Sequence, residues 1–204
     1  MGKIYITRHG ETLLNTLDCF QGSSDAPETY LTQRGIHQAE LLGRRLQDTP
    51  IGLILSSPLK RAVDTASIIR GDRDIPLLTD DGLLERSLGV WEGRTHDSVR
   101  KELGLTRREL QLTSVVPEGG ESTEELERRA KRDFLRIARE HIDEDILVVT
   151  HCVILQPILS LIKGTPLDTT YFIPQASISL CTYDGQGFTM VYEADTSHLK
   201  EGIL

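Results

Sequence analysis

Cysteine is scarce in this 204-residue chain: Cys19, Cys152 and Cys181 are the only three. They are odd in number, widely spaced and without a Cys-x-x-Cys pair, which excludes a disulfide framework and a cysteine-rich zinc site. Long apolar runs are also missing, since no stretch approaches the roughly 20 residues of a membrane-spanning helix. The opening segment, Met1 to His9, lacks the apolar stretch and small-residue cleavage site of a secretory leader. Reduced thiols, a cytoplasmic address and no membrane partner are the expectation. Positive charge is in deficit, with 23 Lys and Arg against 31 Asp and Glu and a formal net charge of −8. That balance argues against a nucleic-acid surface, which would need a basic stripe. It also sets a condition: any anionic substrate needs a local cluster of cations standing against the global sign. His-Glu-x-x-His, clustered aspartates and a Gly-Lys-Ser/Thr phosphate loop are absent, so metal-assisted hydrolysis and nucleotide-loop chemistry have no support.

What is present alternates between strand and helix. Residues 3–7 read as a buried strand. Thr32 is placed to cap a helix over 33–47, with Ile36, Ala39, Leu42 and Leu46 at helical spacing. Ile51 to Leu55 reads as a central strand, and Pro58 as the first turn of a helix carrying Ala62, Ala66 and Ile69. Residues 82–95, with Gly82, Gly89 and Gly93, read as a loop, and 96–121 as helical in pieces. Ser122 and Glu125 form a capping-box pattern ahead of a helix carrying Leu126, Ala130, Phe134 and Ile137. Ile146 to Val149 is another apolar strand, followed by a helix to about 163. Two late strands, near 177–183 and 188–194, flank Asp184-Gly185-Gln186-Gly187. This order predicts a three-layer α/β/α sandwich with a mostly parallel central sheet. The exposed late strands are a candidate pairing surface for a homodimer.

In such sheets ligands gather at the carboxyl ends of the strands. Arg8-His9, Ser56-Ser57 and Thr150-His151 all fall at or just past such ends. A histidine fixed where a strand stops can serve as nucleophile, general base or metal ligand. Gly10 lets the backbone turn closely beneath a ligand, and Arg8 offers a fork of donors suited to phosphate. An Arg-His-Gly-Glu run arises by chance about once in a thousand chains of this length.

That run, Arg8-His9-Gly10-Glu11-Thr12, resembles the signature of the histidine phosphatase superfamily, which includes the cofactor-dependent phosphoglycerate mutases. Further segments follow the family's pattern in order: Asn15 with Phe20-Gln21-Gly22, Leu31-Thr32-Gln33-Arg34-Gly35 with Gln38-Ala39, and Ser56 to Ala62 with Thr65-Ala66. Leu84-Glu85 with Trp91-Glu92-Gly93, Pro117 to Ser122, Val148 to His151, and Ile173 to Ile178 continue it.

The resemblance implies one domain over 1–204, with 94–121 as a short helical cap over the active site. It implies hydrolysis of a small-molecule phosphomonoester with no cofactor and no metal. His9 would be the nucleophile, held in one tautomer by a backbone carbonyl and forming a phosphohistidine. Arg8, Arg61 and His151 would cage the phosphoryl oxygens, with Asn15, Gln21 and Gly22 adding contacts. Glu85 would be the general acid and base, a role worth about 10²–10⁴-fold. Glu11 and Glu92 would have supporting roles.

Several positions depart from the pattern. Cys152 and Val153 stand where relatives carry small residues, so Cys152 becomes a candidate pocket residue and a point of oxidation sensitivity. Gln156 replaces a frequent Arg, Gln175 a commoner Asn, and Pro157 is expected to loosen or bend the helix unless it lies in the first turn. Mutases of the family carry a run resembling E-R-H-Y-G-x-L-x-G-L-N-K; here the corresponding stretch is Glu85-Arg86-Ser87-Leu88-Gly89-Val90-Trp91. Phosphatase is therefore the favoured reading. A phosphoglycerate mutase and a non-catalytic phosphate-binding scaffold remain as alternatives. Arg86, Arg94, Arg100, Lys101, Arg107 and Arg108 are candidate contacts to a second anionic group, and His37, His96, His141 and His198 read as surface or packing residues.

Overall fold

In the computed structural model, which describes residues 1–202, the continuous apolar run at 146–149 becomes an interior strand. Six strands, β1 (Lys3–Arg8), β2 (Leu53–Ser56), β3 (Leu77–Thr79), β4 (Ile146–Thr150), β5 (Ile178–Tyr183) and β6 (Phe188–Asp195), form one sheet. Their order is β3-β2-β4-β1-β5-β6. The pairs β1·β4, β2·β4 and β2·β3 are parallel, whereas β5 runs antiparallel to both neighbours. Seven α-helices are described: α1 (Leu13–Thr16), α2 (Gln33–Arg45), α3 (Lys60–Arg70), α4 (His96–Glu102), α5 (Arg107–Leu112), α6 (Thr123–Glu140) and α7 (Cys152–Lys163). Among the described residues no helix is long and apolar enough to cross a membrane.

The strands read as apolar throughout because both faces of the sheet are covered. Ile4, Ile6, Leu53, Leu55, Ile146 and Val148 pack with Leu126, Phe134 and Ile137 of α6 and Ile154 and Ile158 of α7. The alternate residues Tyr5, Ile54, Leu147 and Val149 pack with Ala39 and Leu42 of α2 and Ala62, Ala66 and Ile69 of α3. These two cores make the α/β/α sandwich. A third, smaller cluster joins α4 and α5 to the loop after β3, through Leu88, Trp91, Val99 and Leu110 with Phe20 against them.

Local signals explain most boundaries. Thr32 accepts the Gly35 N–H at the start of α2, and Ser122 and Glu125 close a reciprocal capping box at the start of α6. The expectation for Pro58 needs correction. Leu59 is the N-cap of α3 and the helix begins at Lys60, so Pro58 lies just outside it. Pro157 does not interrupt α7, which runs on to Lys163. The proline is buried, and by lacking an N–H it leaves the Val153 carbonyl without its helical donor. Two elements lay below the reach of periodicity: the four-residue α1 and the three-residue edge strand β3.

Candidate active site

Because β1, β2 and β4 are parallel neighbours, their carboxyl ends lie side by side. Arg8 is opposite Thr150, and Ser56 opposite Val149. The ladder extends one residue past each strand: His9 N–H donates to Thr150 O (2.9 Å) and Ser57 N–H to Val149 O (2.9 Å). Rigid sheet backbone thus positions both side chains. The loop after β1 is pinched against α2, where a Cβ on Gly10 would lie 2.4 Å from Gly35 O and one on Gly35 would lie 2.0 Å from Glu11 O. Gln38 Oε1 receives the Glu11 N–H, and Thr32 Oγ1 donates to Glu11 Oε1. The 31–39 motif is therefore a clamp on the histidine loop.

His9 is 2% exposed and its Nδ1 lies 2.7 Å from Gly10 O. A carbonyl oxygen only accepts, so Nδ1 carries the proton and Nε2 keeps a lone pair. Burial first, then the charges of Arg61 and Arg8, hold His9 well below its ordinary titration range and keep it neutral.

His151, fully buried, lies beside it with ring centroids 5.1 Å apart. Its Nε2 is 2.7 Å from Ser57 Oγ. Leu59 N–H donates to that same hydroxyl oxygen (3.4 Å), and the hydroxyl can turn its own proton to Nε2. His151 is likewise held neutral, by burial and then by Arg61, His9 and Arg8. With Nε2 as acceptor, Nδ1 bears the hydrogen, and this donor has no partner among the described residues. Ser57 was not foreseen as the group that sets this tautomer; its place at a strand end was the available signal.

Arg8 and Arg61 complete the cluster. Arg8 NH1 donates to Ile173 O (2.6 Å), and Arg61 donates to Gly22 O (2.7 Å) and Ser24 O (2.8 Å). Arg61 is 0% exposed, and burial lowers its pKa to about 10, so it remains charged at neutral pH. The Nε of both arginines is buried without a partner among the described residues. Asn15 and Gln21 face the cavity at its edge. Thr12 N–H donates to Asn15 Oδ1 and Thr12 Oγ1 to Gln21 Oε1, which leaves both side-chain amide nitrogens available as donors.

Glu85, 7% exposed, accepts backbone N–H groups from Arg86 (2.9 Å), Val153 (3.0 Å) and Ile154 (2.9 Å). The last two open α7, whose N-cap residue His151 supplies no side-chain cap. The carboxylate therefore caps that helix from a distant loop, and its charge favours the charged form of Arg61. Sequence reasoning also missed Arg129, which donates to Leu84 O (2.9 Å) and Glu85 O (3.1 Å) and pairs with Glu121 (2.6 Å). Arg86 donates to Glu121 O (2.9 Å), closing the same loop. Cys152 is half-buried at the cavity wall, its Sγ 3.8 Å from the Ile173 carbonyl that also holds Arg8. Gln156 ties down the 169–171 segment through Thr169 O and Tyr171 O. Among the described residues no group of His, Cys, Asp and Glu is arranged to hold a metal ion.

Arg8, Asn15, Gln21, Gly22, Glu85 and Cys152 line a cavity of about 380 Å³, while His9, Arg61 and His151 are buried and do not line it. The four site histidines and arginines expected on the strand ends and helix starts, His9, His151, Arg8 and Arg61, meet in one place. Of the histidines read as surface or packing residues, His198 is a buried one, with Nε2 3.0 Å from Ala176 O.

The family profile of the histidine phosphatase superfamily (branch 1) matches residues 4–196. The chain belongs to this superfamily. A probable phosphoglycerate mutase GpmB of Yersinia pestis is 34% identical over the whole chain and 98% of its own length. Bacillus stearothermophilus YhfR superposes with a TM-score of 0.87 at 33% identity, covering 98% of this chain and 100% of that one. The α-ribazole phosphatase of Shigella flexneri gives 0.84 at 27% identity, covering 95% and 96%. The superfamily thus brings phosphatases and a mutase-named relative together on this fold, and hydrolases are among its members.

Proposed function

We propose that the protein hydrolyses phosphomonoesters through a phosphohistidine on His9. The observation that carries this reading is the Nδ1 bond of His9 to Gly10 O, which leaves Nε2 unprotonated beside two arginines and a neutral histidine donor. Phosphoryl transfer needs little beyond positioning and stabilisation of the equatorial oxygens. Arg8 and Arg61 supply charge, His151 Nδ1–H a neutral donor, and the amides of Asn15 and Gln21 further contacts.

In the first step the Nε2 lone pair forms an N–P bond while the P–O ester bond breaks, and its electron pair leaves with the alcohol oxygen. Glu85, protonated in the substrate complex, gives that oxygen its proton. The substrate's own phosphate monoanion is a source for that proton. In the second step water attacks phosphorus, Glu85 takes the proton, and the N–P bond breaks to release phosphate and neutral His9.

The test is incubation of metal-free protein with p-nitrophenyl phosphate, following phosphate release and acid-labile phosphoenzyme. His9→Ala must abolish both. A mutase reading is favoured by the name of the Yersinia relative at 34% identity. Isomerisation of 3-phosphoglycerate in the presence of 2,3-bisphosphoglycerate, faster than phosphate release, would establish it instead.

A further inference from the structure

The cage of arginines and histidines disposes of one phosphoryl group; the remaining wall of the cavity bears on what that group is attached to. That wall is mainly carbon. Phe20, Trp91 and Leu110 reach it from the small cluster that holds α4 and α5. Val153, Tyr171 and Phe172 supply a second apolar portion. Phe172 is 63% exposed, and its ring centre lies 5.4 Å from Arg8 Cζ, so an accessible aromatic ring borders the cage itself.

Of the charged groups in the same wall, Arg107 and His96 are paired with an acid, and Arg86 is held through Nε by a backbone carbonyl. Arg107 donates to both oxygens of Asp18 (3.0 and 2.8 Å), and His96 Nδ1 is 3.1 Å from that carboxylate. Arg86 donates to Glu121 O and stands in the field of Glu121, Glu85 and Glu124. A carboxylate or second phosphate on the substrate would have to compete with these acids for a cation, and would otherwise be desolvated against carbon. A bulky apolar group meets no such penalty and gains by leaving water.

We infer that this site prefers phosphomonoesters of large apolar alcohols, arylalkyl or long alkyl, over small esters that carry a second anionic group. The inference rests on the hydrolase reading above and deepens it. It is tested by comparing kcat/KM for 2-phenylethyl phosphate, ethyl phosphate and 3-phosphoglycerate. The first two release alcohols of similar acidity, so their ratio reports the pocket rather than leaving-group chemistry.

The expected ratio of 2-phenylethyl to ethyl phosphate is about tenfold or more, the worth of burying one ring. 3-Phosphoglycerate should fall at or below ethyl phosphate. Leu110→Ala and Phe172→Ala should each lower the ratio several-fold, with ethyl phosphate as the internal control for folding. A ratio near one, or 3-phosphoglycerate turned over fastest, overturns the preference. Phosphoenzyme formation from p-nitrophenyl phosphate, measured alongside, separates the two claims. If the phosphoenzyme forms while the ratio is flat, only the preference fails; if no ester yields phosphoenzyme or phosphate, both fail.

Discussion

The Glu92 carboxylate fills the space that a side chain at residue 22 would need: a Cβ on Gly22 would lie 2.1 Å from Glu92 Oε1. The backbone of Gly22 is also left-handed, with φ of +53°. Through Oε1, Glu92 accepts Ser23 N–H (2.8 Å), Ser23 Oγ–H (3.1 Å) and Leu88 N–H (3.0 Å). It thereby ties the 22–24 turn, whose Gly22 and Ser24 carbonyls hold Arg61, to the loop that follows Glu85.

Glu92 is thus a positioning residue for Arg61, although it touches neither His9 nor the phosphoryl group in the proposed reaction. Glu92→Ala should weaken inhibition by phosphate or vanadate and raise KM about tenfold, the worth of roughly one charge-assisted hydrogen bond. Glu92→Gln retains a carbonyl acceptor and should recover most of the loss. Equal damage from both variants would show that the acceptor geometry is not what matters.

The contrast between Glu92 and His9 shows what was legible in the sequence. His9, Ser57 and His151 follow apolar runs directly, so their meeting at one edge follows from parallel strands alone. Buried alternation, the capping box at Ser122 and the turn at Asp184 were readable for the same reason: each signal lies within a few residues of its effect. The bonds that tie Glu92 to Ser23, Arg129 to Leu84 and Ser57 to His151 join residues 69, 45 and 94 positions apart. No local pattern encodes such a pairing. Short elements such as α1 and β3 escaped because four or three residues carry too little periodicity to stand out.

The state of His151 gives a second prediction. Ser57→Ala removes the hydroxyl that donates to Nε2 and leaves a buried acceptor unpaired, at a cost of about 1–3 kcal/mol. The Nδ1–H tautomer then loses its support, and kcat/KM should fall about tenfold or more. Nitrogen-15 shifts of the His151 ring separate this from general damage. The Nδ1-protonated pattern should be clear in the parent and lost or mixed in the variant.

Both histidines also fix a pH dependence. Each is held well below its ordinary value near 6.5, so the unfolded chain binds more protons than the folded one as acid is added. Their full contribution to stability is present above about pH 6.5 and is lost as pH falls from there through the lowered folded values. Denaturant midpoints should therefore decline below about pH 6.5, and His9→Ala should flatten part of that decline. With the substrate's own phosphate ionisation divided out, kcat/KM should pass through pH 6.5 without the inflection that an ordinary histidine nucleophile would give.

Arg129 tests the assignment of Glu85. Its fork holds the carbonyls of Leu84 and Glu85 while pairing with Glu121, so it fixes the backbone on which the acid is mounted. Arg129→Lys keeps the charge but cannot span three acceptors at once. The variant should lose about tenfold or more in kcat on an alkyl phosphate, whose leaving oxygen needs a proton. Phosphoenzyme formation from p-nitrophenyl phosphate should be nearly unaffected, because p-nitrophenolate departs without one. Its later hydrolysis should slow, since water must still give its proton to Glu85. Rapid-quench measurement of the two steps distinguishes this pattern from simple loosening of the loop, which would slow phosphoenzyme formation from both esters alike.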